Sequence, residues 1–134
     1  MYNKNLNIAK IEAELGKRLI GVVPAANIYP GERPTDNPTG AFIVVSVPGK
    51  VYDKTAYGTA LVSVDIYTPA LAKGRKDTTL ITKLHNKIYD LLPSLGKEYS
   101  FDLSALPEMN GGRDGQYFFV SRISLECIIK TNQT

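Results

Sequence analysis

ALVSVDIYTPALAKGRKDTTLITKLHNKIYDLL, residues 60–92, decides the fold. Val62, Val64 and Ile66 fall on one side of an extended chain, and Ser63, Asp65 and Tyr67 on the other. That two-residue alternation is what a half-buried antiparallel strand requires. Thr68 and Pro69 are expected to end the strand, and a short basic linker follows. Asp77 can then cap a helix whose apolar residues return at Leu80, Leu84, Ile88 and Leu91. A strand with one dry face and a helix with one dry stripe must cover each other.

Upstream, Ile8, Ile11, Leu15 and Leu19 recur at helical spacing, with Asn5 or Asn7 as the cap. Glu14 and Arg18 stand four apart in the favourable orientation, worth roughly 0.3 kcal/mol. Gly16 weakens the end of this helix and Gly21 stops it. Residues 22–29 read as a short strand interrupted by Pro24, which suits an edge. PGERPTDNPTG, residues 30–40, is a loop by backbone chemistry and long enough to be a contact loop. The near-continuous apolar run AFIVVSV, residues 41–47, suits a strand covered on both faces. Pro48-Gly49 turns the chain, and residues 51–57 lead into the deciding strand as an irregular arm or hairpin partner.

Downstream, Pro93 and Gly96 are expected to end the second helix. Residues 99–103 suit a short strand, and PEMNGGRDG, residues 107–115, reads as a turn or flexible tip. Residues 116–130 form the longest alternating run. Phe119, Ser121, Ile123, Leu125, Cys127 and Ile129 share one face, with Arg122, Ser124, Glu126 and Lys130 on the other. These elements predict one α+β domain over residues 1–134, in the order helix, strands, helix, strands. The sheet is antiparallel or mixed, of about four to six strands, with two helices packed on one face.

Composition bounds the function. The 134 residues suffice for a core without covalent staples, and a net charge of +3 falls short of a dedicated nucleic-acid binder. The single cysteine, Cys127, allows no internal disulfide, and the sequence has no Cys/His cluster to hold zinc. No apolar leader opens the chain and no apolar run approaches membrane-spanning length, so a soluble intracellular protein is expected.

Catalytic signals are weak. His85, the one histidine, stands beside the apolar stripe of its helix with no partner indicated by the sequence. Cys127 lies between Leu125 and Ile129 on an inward face, the setting of an inert thiol. Pro48-Gly49-Lys50 lacks the glycine and hydroxyl that a phosphate loop needs. Residues 110–115 lack the alternating oxygen ligands of a calcium loop. Asp65 and Glu126 would meet as a carboxylate pair only if their strands are neighbours; solvated strand faces or a subunit contact are the simpler reading. The basic cluster Lys73, Arg75, Lys76 has no interleaved aromatic platform of the kind single-strand binders use. No catalytic residue, metal or cofactor is expected.

The succession of elements, with the residues that fill them, resembles the tail-terminator (tail-completion) proteins of long-tailed bacteriophages. The likeness is carried by Asn27-Ile28-Tyr29-Pro30, Gly31-Glu32-Arg33-Pro34 and Ala41-Phe42-Ile43-Val44-Val45. It continues through Val62-Ser63-Val64-Asp65-Ile66-Tyr67-Thr68, a helix reaching Leu91-Leu92, and the strand from Phe119 to Glu126. Gly40-Ala41 stands where the family has a proline, and the tip at residues 108–115 is longer than is usual there.

The resemblance implies a structural protein, not an enzyme, located in the tail or neck of the virion and, during assembly, in the host cytoplasm. Its copies would form a homo-oligomeric ring, a hexamer, that caps the tail tube, stops its growth and docks to the head completion complex. Its partners would be the tube protein and the connector, with DNA only as passing cargo and no membrane. Another phage neck or head–tail adaptor protein, or a non-catalytic cellular α+β binding module, is the alternative. Loop chemistry nominates Glu32, Arg33 and Asp36, then Arg113 and Asp114, then Lys73, Arg75 and Lys76 as contact residues.

Overall fold

The computed structural model describes residues 3–130. It contains two helices, α1 (Ile8–Arg18) and α2 (Thr78–Tyr89). Six strands make one sheet: β1 (Ile28–Pro30), β2 (Phe42–Ser46), β3 (Val51–Asp53), β4 (Tyr57–Pro69), β5 (Tyr99–Asp114) and β6 (Phe118–Lys130). The strand order is β1-β2-β4-β6-β5, with β3 beside β4. Every pairing is antiparallel except β1 with β2, so the sheet is mixed and the fold is α+β.

The alternation of the deciding strand is realised as the sequence requires. Val62, Val64 and Ile66 are fully buried on the face covered by the helices, as are Ile123, Leu125, Cys127 and Ile129 of β6. Ile11 and Leu15 from α1 and Leu19 just past its end, with Leu84 and Ile88 from α2, join the same core. Asn7 caps α1 by accepting from the Lys10 amide at 3.1 Å, and Asp77 caps α2 through the Leu80 amide at 3.0 Å. Asn5, the other candidate cap, is buried instead, and its side chain donates to the Lys130 carbonyl at 3.3 Å.

Several boundaries shift. β4 runs through Thr68 to Pro69, because Phe119 and Phe118 of β6 continue to pair with it. The helix stops at Tyr89, before the Leu92-Pro93 bond, and Leu91 is left exposed. Of residues 22–29 only the last two enter a strand; a short 3-10 turn, Ala25–Asn27, occupies the middle. Pro24 fits the entry to that turn, since it has no amide to contribute.

The largest correction concerns residues 107–115, expected to form a turn or tip. All but Gly115, which lies in the turn, are strand: β5 is 16 residues long and pairs with β6 to its far end. The proline and glycines are absorbed by two irregularities. Residues 104–107 have no partner in the ladder, which resumes at Glu108, and a second shift falls between Asn110 and Gly112. A Cβ at Gly111 would come within 2.9 Å of Val120, and Gly112 has φ of +78°. Only glycine meets both demands cheaply, so the Gly-Gly pair marks a bulge within a strand.

Ile88 is wholly buried between α2 and the sheet. Replacing it with alanine is expected to cost about 2–5 kcal/mol of stability in urea unfolding. A loss below about 1 kcal/mol would show that α2 is not seated on this core.

Candidate functional site

Three connections meet at one end of the sheet: the loop of residues 31–41, the segment of residues 70–77, and the turn between β5 and β6. Asn27 fixes the base of the first by donating its side-chain amide to the Thr39 and Ala41 carbonyls at 3.0 and 2.9 Å. Arg33 then turns back over the sheet. It forms an ion pair with Asp114, donates to the Pro34 carbonyl at 2.7 Å and to the Asn37 side chain, and lies over the rings of Phe42 and Tyr67 at 5.3 and 5.6 Å. Arg113 lies on the Phe119 ring at 4.4 Å and donates to the Gly74 carbonyl at 2.7 Å. The Ala70 amide donates to the Tyr117 carbonyl at 2.7 Å, a second tie between the segment of residues 70–77 and the β5–β6 turn.

The nominated contact residues therefore gather in one region but divide into two kinds. Arg33, Asp114 and Arg113 hold the three connections to one another. Glu32, Asp36, Lys73, Arg75 and Lys76 are exposed and make no ion pair with any described residue. The first group organises the surface; the second is the charge the surface presents.

Behind Arg33, on the sheet face away from the helices, Phe42, Val44 and Phe118 form a second small core with Tyr29 and Tyr67. Phe42 stacks on Tyr67 at 4.3 Å and meets Phe118 edge-on at 5.1 Å. Below it, Asp65 meets Arg122 in a two-point pair at 2.6 and 3.1 Å. This hydrogen bond raises the Arg122 pKa above its already high ordinary value. The strands of Asp65 and Glu126 are neighbours, yet no carboxylate pair forms: Asp65 registers with Arg122, and Glu126 with Leu61 and Asp102. Burial, with Asp65 and Asp114 nearby, raises the Tyr67 pKa.

His85 also departs from expectation. It is buried, and both ring nitrogens have side-chain partners that the sequence did not indicate. Nδ1 lies 2.9 Å from Glu108 Oε2, and Nε2 lies 2.7 Å from Ser121 Oγ. Glu108 reaches the ring because the chain from Glu108 to Asp114 continues β5 along β6, where the sequence suggests a turn.

Cys127 is fully buried, and burial pushes its thiol up to about 12, against a weaker opposing effect of Arg18. Among the described residues, no group of three His, Cys, Asp or Glu side chains could hold a metal ion, and no helix is long and apolar enough to cross a membrane. The chain matches no protein-family model, and a search of curated proteins finds no match.

A thiol this enclosed reacts only when the chain opens. Native protein at pH 8 is expected to leave Cys127 unmodified by an aromatic disulfide reagent over minutes, with full reaction in denaturant. Rapid native modification would show that the strand interior is open to solvent.

Proposed function

We propose that this chain is a subunit of a closed ring that ends a bacteriophage tail tube and joins it to the head. The observation that carries the reading is the loop cluster: three connections tied together by Arg33–Asp114 and Arg113–Gly74, presenting unpaired charges of both signs at one end of a stiff sheet. A surface built that way suits repeated docking, because the loops arrive already ordered and little entropy is lost on contact.

The two sheet edges add support. One is the long β5; the other is made of the short β1 and β3, three residues each. Unlike edges favour head-to-tail contact between copies, and such contacts close into a ring when the rotation permits. Modest affinity per contact is multiplied around the ring. In this reading the ring is a hexamer, its ends meet the tube protein and the connector, and DNA crosses its centre as cargo. The role is structural, requires no cofactor, and is exercised in the virion after assembly in the host cytoplasm.

Light scattering over a wide concentration range is expected to show monomers giving way to one closed species, and that species to bind isolated tail tubes and halt their growth. A chain that stays monomeric at high concentration and ignores tubes would refute the reading. Binding to filled heads but not to tubes would place the protein elsewhere in the neck.

Charge reversal separates the two kinds of residue. Lys73→Glu with Arg75→Glu is expected to abolish tube capping while the melting temperature stays within about 2 °C of wild type, as surface substitutions away from paired groups usually do. Arg33→Glu places like charge against Asp114 and is expected to destabilise the monomer itself by about 1–3 kcal/mol. Normal capping by the double variant would remove the basic segment from the interface.

A further inference from the structure

Ser121, His85 and Glu108 come from three different elements, β6, α2 and β5, and meet in one hydrogen-bonded line. An ionised carboxylate can only accept, so Glu108 fixes the ring proton on Nδ1. That leaves the Nε2 lone pair facing the Ser121 hydroxyl at 2.7 Å. This is the order of groups that activates a serine: nucleophile, base, and a third group orienting the base.

A histidine serving packing alone would also need a partner on each nitrogen. What packing does not account for is the concavity of about 210 Å³ that opens onto all three side chains. Its remaining walls are Lys76, Ile81, Met109 and Asn110. Ile81 supplies apolar surface for a short acyl chain. Asn110 is the register partner of Ser121, and its Oδ1 accepts from the Gly112 amide at 3.0 Å, which leaves its amide N–H groups as donors. Asn110 and Lys76 are thus the groups in the cleft suited to a developing oxyanion.

We propose that Ser121 is a histidine-activated nucleophile that accepts the acyl group of a small ester. This activity stands apart from the ring reading and survives its failure. Ser121 Oγ attacks the ester carbonyl carbon while its proton passes to His85 Nε2. The bond to the leaving alcohol breaks, and the departing oxygen takes that proton back. Water then attacks the acyl-serine by the same proton route, releasing a carboxylic acid and restoring the hydroxyl. Ser121 and His85 are the catalytic residues. Glu108 is a positioning residue that holds the ring through Nδ1.

The test treats the purified full chain with a fluorophosphonate probe, which phosphonylates activated serines, and locates the adduct by peptide mass spectrometry. Hydrolysis of p-nitrophenyl acetate is followed in parallel. The expected result is an adduct on Ser121 that is lost in Ser121→Ala and forms about 100-fold or more slowly in His85→Gln. Glu108→Gln, altering a half-exposed carboxylate, is expected to slow labelling and to change the pH dependence of its rate, which a merely structural contact would not do. The wild-type chain decides the matter whether or not the variants fold. No adduct on Ser121 while circular dichroism shows native structure, or labelling confined to other residues, overturns the proposal.

Discussion

The pairing of β4 with β6 is the constraint on which everything else rests. The two strands are 13 residues each and register along their whole length, from Tyr57 opposite Lys130 to Pro69 opposite Phe118. Because side chains alternate with a period of two, a slip of one residue would turn the buried apolar set of the slipped strand outward. Val62, Val64, Ile66, Ile123, Leu125, Cys127 and Ile129 all vote for the same register, since each is fully buried in it. On the opposite face the same register brings Asp65 to Arg122, so charge and burial agree.

From this ladder the remaining cover follows with less freedom than the sequence suggests. Arg18 pairs with Glu14 within α1, as expected, but its other nitrogens donate to the carbonyls of Ser94 at 3.0 Å and Tyr99 at 2.8 Å. It also lies over the Phe101 ring at 5.0 Å. One arginine thereby fastens the first helix to the start of the last hairpin. Tyr99 completes the join from the other side, donating its hydroxyl to the Asn5 carbonyl at 2.6 Å. Burial raises the Tyr99 pKa well above that of a free phenol, so the donor stays protonated. Neither link has a local sequence signature, because each depends on residues more than seventy positions apart.

The legible parts of the chain were those governed by short-range rules. Alternation identified the spine strands, apolar spacing identified both helices, Asp77 announced its own cap, and the first cap was narrowed to Asn5 or Asn7, of which the structure uses Asn7. Glycine and proline were the misleading signals. In residues 107–115 they suggested a turn, but the alternation of β6 offered a template that could tolerate them as bulges. The same error concealed the Glu108–His85 contact. The candidate contact loops were recognisable from composition, whereas their mutual fastening through Arg33 and Arg113 required the sheet to bring distant segments to one end.

The unpaired segment of β5, residues 104–107, divides that strand into two separately indexed ladders. Before it, Tyr99 and Phe101 are anchored in the main core; beyond it, Glu108 meets His85 and Asp114 meets Arg33. The segment therefore works as an expansion joint. Chain length can be gained here without disturbing the core ladder. With four residues set against Ser124 alone, a lost residue can be taken up in the same slack, leaving the histidine's carboxylate and the arginine's partner seated.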